Sequence, residues 1–579
     1  MMTESDHNWV IGSVAAGGGM LLGVTTWTGA ALGALMIGED IADLSPLTIL
    51  NMTRDWSGVW AGSPVISAIC AALIDLAVVA VLVWTVRVAR KWFYHPLDMA
   101  TLYQLRELTP EPAARTATRL RRSLKGTESK DVRAADRGVL LGDHMPTGVE
   151  LRGSDEDTFI AVMAPRAGKS TALAIPIAME APGALLMTSN KADVYAATVT
   201  SRGRVGNTWV LDTQGVAQSV RGMWWDMLAQ AETLEGAERL ASHFIAQVTS
   251  EGADPFWSQS ASDLLVGFFR AAWYDGGSVR DVMGWLADPA EKAPMRILYQ
   301  HEPVLAEQVD ASVNIAEETQ SGVFQNARSA VSALRDPNVL AWLQHDKRTP
   351  RFDPEEFALG RDSLYLLSKK GGPASAVVAA LADAVFTASS EAGERHGGRL
   401  PEPTRAVLDE AANICKINDL PDLFSHLGSR GINPYVILQS YRQGVKAWGE
   451  TGMDAMWGAA TKKIIGAGVD DPKFVADIST LIGAHTVHRS SVSKSKDGGS
   501  TSQSEQREAI REAADIRAMK KGTGLLLATG MPVAQIKLRP WYQEESMLHL
   551  ADEKNAEEKA ITDRAVTAYA DRKAARPVR

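Results

Sequence analysis

The chain opens on apolar sequence. From Trp9 to Gly38 no side chain carries a charge, a run long enough to cross a bilayer. Small residues recur four apart at Ala15, Gly19 and Gly23, a spacing that lets helices pack closely in a membrane. A second apolar segment runs from about Val65 to Val86 and is interrupted by Asp75. An ionisable side chain at that depth is costly, so Asp75 is expected to face a helix neighbour or polar cavity, or to draw in a local water defect. The pattern predicts a membrane anchor over 1–92 with two transmembrane helices, at about 9–38 and 65–86. Arg87, Arg90 and Lys91 follow the second at once, whereas the intervening loop holds Glu39, Asp40, Asp43 and Asp55 against Arg54. The positive-inside rule then puts both termini in the cytoplasm and a short acidic loop outside, in the cytoplasmic (inner) membrane. A cleaved signal peptide would need a basic leader, and Met-Met-Thr-Glu-Ser-Asp-His has acids and no Lys or Arg.

Beyond residue 150 the pattern changes to short apolar runs separated by helix-like segments. Strands are expected at Phe159–Ala164, Ala184–Ser189, Thr208–Asp212, Ser363–Ser368, Ala406–Asp409, Tyr435–Gln439 and Lys463–Gly466, with further strands at Gly524–Ala528 and Val533–Leu538. Short buried strands alternating with helices predict an α/β fold with a mainly parallel sheet covered on both faces. From about Glu232 to Gln344 the alternation stops and the sequence reads as helices. Phe256, Trp257, Ala261, Leu264, Leu265 and Phe268 recur at helical spacing there, which reads as core rather than a base-stacking platform. The organisation expected is a stalk or linker over 93–150, an α/β domain made of 151–225 and 350–545, an all-α insertion over 226–349, and a charged helical tail over 546–579. The stalk holds Pro110, Pro112 and the basic cluster Arg119-Leu-Arg-Arg122. That cluster reads as a solvated, membrane-proximal helix beside anionic headgroups, with contact to DNA as the alternative. Ser490 to Ser504, rich in Ser, Lys and Gly, is expected to be a flexible surface loop. Charges alternate at helical spacing over 551–575, as on a solvated helix or a cargo-docking tail.

Composition narrows the reading. A chain of 579 residues exceeds one ordinary core. Its net charge of -9 argues against a generally basic nucleic-acid coat protein, although a local basic channel can sit on an acidic protein. Cys70 and Cys415 are the only cysteines. They exclude a disulfide framework or multi-cysteine zinc site and read as buried thiols in a reducing compartment. The 11 histidines form no ligand-spaced cluster.

Candidate chemistry lies at two strand ends. Phe159-Ile-Ala-Val-Met-Ala-Pro-Arg-Ala-Gly-Lys-Ser-Thr171 carries an apolar strand into a turn and a helix start. Backbone N–H groups of such a loop hold nucleotide phosphates, so Pro165, Arg166, Ala167, Gly168, Lys169, Ser170 and Thr171 are candidate nucleotide-binding residues. Lys169 would reach the β- and γ-phosphates, and the Ser170 hydroxyl would hold Mg²⁺. The full pattern has Gly five residues before Gly168, where this chain has Met163. Methionine cannot take positive φ cheaply, so the loop's entry must differ. Far downstream, Arg405-Ala-Val-Leu-Asp-Glu410 is an apolar strand ending in two carboxylates. Alone these could be a helix cap; paired with the first motif they suggest an ATP-hydrolysing site.

The motifs also come in a recognisable order. The membrane pair is followed by Ala-Pro-Arg-Ala-Gly-Lys-Ser-Thr, Thr188-Ser-Asn-Lys-Ala-Asp193, a helical stretch, Leu408-Asp-Glu-Ala-Ala-Asn413, Gly428-Ser-Arg-Gly-Ile432 and Leu438-Gln-Ser440. This resembles the type IV coupling proteins of conjugation and type IV secretion, within the RecA-like DNA-pumping ATPases, over most of residues 140–545. The resemblance implies a RecA-like nucleotide-binding domain using ATP and Mg²⁺. It implies Asp409 as the metal-ordering carboxylate beside Ser170, and Glu410 as the base that polarises the attacking water. It implies Gln439 as the γ-phosphate sensor and Arg430 as the arginine completing a neighbour's site in a ring. It further implies a membrane-anchored homo-hexamer that passes single-stranded DNA with its relaxase, or effector proteins, to the components of a type IV secretion channel. The alternatives are a chromosome-segregation DNA translocase, disfavoured by the missing long linker and C-terminal winged-helix module, and a non-catalytic nucleotide-binding cargo receptor.

Overall fold

The computed structural model describes residues 24–38, 40–41, 64–93, 99–249, 254–369, 374–495 and 498–574. The chain divides into two compact units, Met1–Tyr94 and His95–Arg579.

In the first unit, α1 (Val24–Ile37) and α2 (Pro64–Phe93) are apolar helices. Among the described residues, α2 is long and apolar enough to cross a membrane, whereas the described part of α1 is shorter. Residues 9–23 of the first expected span, and most of the acidic loop, lie outside the described residues. The hydroxyl of Thr26 donates to Asp75 Oδ2 at 2.8 Å, and that of Thr25 donates to Oδ1. Asp75 therefore faces α1, one of the alternatives the sequence left open.

In the second unit, α3 (Pro110–Leu120) precedes β1 (Val139–His144), β2 (Val149–Gly153) and β3 (Phe159–Val162). The chain continues through α4 (Ser170–Met179), β4 (Leu185–Ser189), α5 (Asp193–Arg202) and β5 (Thr208–Leu211). After a helical stretch come β6 (Ser363–Leu367), α6 (Ser375–Arg395), β7 (Thr404–Asp409), β8 (Ile432–Leu438) and β9 (Lys462–Gly466). A hairpin of β10 (Ala484–Ser495) and β11 (Gly498–Ala509) leads to β12 (Thr523–Ala528), β13 (Ala534–Lys537) and the terminal α7 (Leu550–Ala574).

Eleven strands form one sheet in the order β2-β1-β13-β12-β9-β3-β8-β7-β4-β6-β5. From β9 to β5 every pairing is parallel. β12, β13, β1 and β2 extend it antiparallel. β3, β4, β6, β7 and β8 are buried along their whole length, as strands covered on both faces must be. α6 meets the length and apolarity of a membrane span, but most of it is buried in the second unit, so it is a core helix.

The stretch between β5 and β6 holds helices from Leu234 to Ala341 and no strand among the described residues. Its base is pinned where the Trp224 N–H donates to Pro350 O and the Phe352 N–H donates to Trp224 O, at 3.1 and 2.8 Å. Ala261, Leu264, Leu265 and Phe268 are buried as expected, but Phe256 is 46% and Trp257 36% exposed. Both stand in the first turn of helix Pro255–Tyr274, where the Trp257 ring lies over Gly322 and meets Phe256 edge-on while both stay partly open to solvent.

Three expectations need correction. The stalk predicted over 93–150 is, from Met99 on, part of the body: α3 packs there and β1 and β2 lengthen the sheet. The described residues between Ser490 and Ser504 belong to the β10–β11 ribbon, in register from Ala484↔Ala509 to Ser495↔Gly498. The terminal helix is not free. The Ser201 hydroxyl on α5 donates to Glu553 at 2.7 Å, Arg204 pairs with Glu553 at 2.6 Å, and Leu550 is fully buried.

Candidate active site

A parallel sheet delivers the C-terminal ends of its strands to one edge, and that is where the sequence's two motifs meet. β8 lies between β3 and β7, with Val162 level with Leu438 and Asp409 level with Ile437. The loop after β3 and the carboxylates ending β7 thus flank the residue that follows β8, Gln439.

Met163 continues β3 rather than opening the turn. Its N–H donates to Leu438 O at 3.1 Å, and the next N–H, of Ala164, donates to Ala467 O at 3.3 Å. Positive φ falls instead on Arg166 (62°) and Gly168 (101°). Glycine is therefore not required at 163. The Met163 side chain, itself buried, has room because Gly466 lacks a Cβ, which would lie 2.4 Å from Met163 Cγ. Gly466→Ala should then cost about 1–3 kcal/mol through overpacking, and Met163→Ala in the same chain should recover most of it. Denaturant unfolding of the four proteins in that cycle measures the coupling, and additive costs would refute the contact.

Within the loop, Pro165 and Arg166 are exposed, Ala167 is buried, and Ser170 and Thr171 are half-buried at the start of α4. The Thr171 hydroxyl donates back to Gly168 O at 3.3 Å. Lys169 is buried and donates to Met163 O at 3.3 Å. Burial holds its ammonium below the usual lysine range, opposed by the nearby charges of Asp409 and Glu410.

Asp409 ends β7 inside the protein. Burial pushes its carboxyl up to about 7; Glu410 and Asp193 push the same way, while Lys169 and Lys191 oppose them. Its Oδ1 is buried with no hydrogen-bond partner among the described residues. An open carboxylate oxygen suits a hard divalent cation.

Glu410 sits at φ 55°, ψ 38°, left-handed backbone that a side chain adopts at a cost of about 1–2 kcal/mol. Its N–H donates to Ile437 O at 3.1 Å. Three amides hold its carboxylate: Gln439 Nε2 donates to Oε1, while Asn190 Nδ2 at 2.8 Å and Asn413 Nδ2 at 3.1 Å donate to Oε2. Strain held by surrounding hydrogen bonds is typical of functional positions. Asn190 and Asn413 lie in the Thr188–Asp193 and Leu408–Asn413 motifs, whose pattern assigns them no role. Asn190 reaches Glu410 because β4 pairs with β7, Thr188 level with Leu408, which only the strand order reveals.

Arg430 is not brought to this edge. It precedes β8, whose seven residues put about 23 Å between its ends. Its side chain is 33% exposed and pairs with Glu394 at 2.9 Å. It can serve chemistry only in a neighbouring chain's site.

The comparisons with known proteins agree with this architecture. Residues 403–521, which include β7, β8 and β9, match the family described as the TraM recognition site of TraD and TraG. The conjugal transfer protein TraG of Agrobacterium fabrum is 23% identical over 402 residues, 66% of this chain and 59% of that protein. The conjugal transfer protein TraG of Rhizobium radiobacter is 24% identical over 319 residues, 52% of this chain and 48% of that protein. The matches thus span about half to three-fifths of these relatives' length. The bacterial conjugative coupling protein TrwBdeltaN70 superposes with a TM-score of 0.52 at 17% identity, over 69% of this chain and 88% of its own. The chain is similar in sequence to conjugal transfer proteins and shares the fold of a coupling protein. A structure of the plasmid coupling protein TrwB in complex with the non-hydrolysable ATP analogue ADPNP superposes likewise, with a TM-score of 0.51 at 17% identity over 69% of this chain and 89% of its own. In this chain, the edge that gathers Lys169, Asp409, Glu410 and Gln439 is the C-terminal edge of the parallel strands, where open α/β folds bind ligands.

Proposed function

We propose that the chain is a membrane-anchored ATPase that recruits single-stranded DNA with its relaxase, or effector proteins, to a type IV secretion channel and drives their transfer. The observation that carries this reading is the held carboxylate of Glu410, bonded to Gln439, which stands between it and the Lys169 loop. Lys169 and the loop from Pro165 to Thr171 bind the triphosphate. Ser170 and Asp409 hold Mg²⁺, which neutralises phosphate charge when bound. The buried open oxygen of Asp409 supports that placement. Glu410, stripped of rotational freedom by its three amides, accepts the proton of the attacking water. Gln439 bonds Glu410 directly and so couples the γ-phosphate position to the base. TrwB has been solved with ADP and Mg²⁺ as well as with ADPNP, which supports the same cofactors here. Chains act as a homo-hexamer, and Arg430 of each completes the site of the next.

The runner-up enzyme, a chromosome-segregation translocase, would show ATPase stimulated by double-stranded DNA. A non-catalytic receptor would show no turnover. Steady-state hydrolysis by the purified full chain, with and without single-stranded DNA, separates the three. Absence of hydrolysis in the presence of Mg²⁺ sinks the engine reading.

The anchor reading is tested by reporters. A fusion after residue 95 should report cytoplasm and an insertion near Thr48 the exterior. The motivation is the run Arg87, Arg90, Lys91 at the end of the second apolar segment. The reverse pattern would overturn the topology.

A further inference from the structure

The basic cluster at the end of α3 has no part in the chemistry above, and the structure divides its members by role. Arg121 turns inward, is buried, and pairs with Asp136 at 3.1 Å and Glu402 at 3.3 Å. The Ser123 N–H takes the other oxygen of Glu402 at 2.7 Å. The two nearby acids are thus already engaged. Arg119, Arg122 and Lys125 remain exposed. Arg119 stands 4.0 Å from Glu156, which Arg399 also holds at 3.0 Å. Arg122 and Lys125 make no side-chain ion pair among the described residues. These three, with Thr118, His396 and Pro401, line an open groove of about 620 Å³. Two unpaired cations, Arg122 and Lys125, with Arg119 only loosely paired, around a concave surface favour a phosphate.

We propose that this groove binds the phosphate of an anionic phospholipid headgroup at the membrane surface. The inference rests on the membrane-anchored reading. Its position supports lipid over nucleic acid. The Arg122 N–H donates to Pro401 O at 3.0 Å, just ahead of β7, so the groove sits at the N-terminal edge of the parallel strands. The chain enters the body on that same edge. The Ala100 N–H donates to Val533 O at 2.9 Å, just before β13; β13 begins opposite Leu526 of β12, whose Ala528 lies level with Lys462 at the start of β9. The loops that carry Lys169, Glu410 and Gln439 occupy the opposite edge. The groove therefore lies on the edge of the second unit where its described chain begins, away from the nucleotide-driven loops, and the segment that precedes it in sequence is the apolar helix ending at Phe93. Near an anionic leaflet each such basic group strengthens attachment roughly fivefold.

The test uses the full chain in lipid discs of phosphatidylcholine alone or with part replaced by phosphatidylglycerol. Lys125 acetylation is read by mass spectrometry. Lys125 should react roughly fivefold more slowly in the anionic discs. That protection should vanish in Arg119→Gln/Arg122→Gln, with ATP turnover unchanged because neither residue is in the site. Equal reactivity in both discs overturns the proposal. So does protection by an added thymidine oligonucleotide in phosphatidylcholine discs with none from phosphatidylglycerol, which would mark a nucleic-acid groove. Failure of the chain to enter discs of either lipid sinks the anchor reading and this inference with it; entry without protection sinks the inference alone.

Discussion

Glu410→Gln should lower ATP turnover by roughly 10²–10⁴-fold while leaving Mg²⁺-nucleotide bound. The substitution keeps the shape of the side chain and removes its ability to accept a proton. Asn190 and Asn413 can still donate to the remaining carbonyl oxygen, so the side chain stays placed. The new amide meets the amide of Gln439 where an acceptor stood, which loosens one contact without emptying the site. Lys169→Ala fails differently. It removes the cation that lies close to both Asp409 and Glu410, so two buried carboxylates face the phosphates without it, and binding itself falls. A fluorescent ATP analogue titrated beside a turnover assay separates the two defects. Unchanged turnover in both variants rejects the assignment, and lost binding in Glu410→Gln would show the carboxylate to be structural.

The second large effect concerns Arg430. A neighbour's guanidinium that neutralises charge developing on the γ-phosphoryl oxygens is worth on the order of 10³–10⁵ in rate. Arg430 lies at the far end of β8 from its own chain's site, partly exposed and paired with Glu394. That pair is exposed enough to be weak, about 0–1 kcal/mol, so it does not prevent Arg430 from turning to a neighbour. Arg430→Ala and Lys169→Ala should each be nearly inactive alone. Mixed, they form some interfaces where an intact Lys169 faces an intact Arg430, and activity should partly return. A mixture as inactive as its components, while native gels show mixed rings, would end the trans assignment. Arg430→Lys should rescue poorly, because an ammonium lacks the planar five-donor fork.

The sequence made legible what is local. Gly168-Lys169-Ser170 at a strand-to-helix turn and Asp409-Glu410 at a strand end announce themselves through residue type and spacing, and the alternation of buried strands with helices announces the parallel sheet. Strand order is not local. That β4 lies beside β7, and so puts Asn190 on Glu410, follows from packing across more than two hundred residues of chain and leaves no trace near residue 190. Met163 implies a different loop entry, which the structure has, but the space for its side chain is supplied by Gly466 on another strand and cannot be read near residue 163. The ribbon of β10 and β11 was hidden because Ser, Lys and Gly suggest a solvated loop, although backbone pairing depends little on those side chains. Periodicity assigns Phe256 and Trp257 to a core face but does not say how much of each ring is covered.

The central position of β3 also constrains how the protein is made. Both of its neighbours, β8 and β9, lie late in the chain, with Phe159 level with Tyr435 on one side and Lys462 on the other. When β3 leaves the ribosome it is fully apolar and has nothing to pair with until most of the chain has followed. Pairing over such separations is slow, because the loop must close before any contact rewards it, and an unpaired apolar strand is prone to aggregate meanwhile. The helices between β5 and β6 make contacts close in sequence and can settle first. Nascent chains released before β8 should consequently be protease-sensitive at β3 and resistant in the helical stretch, and a chaperone that shields β3 during synthesis should raise the yield of folded protein.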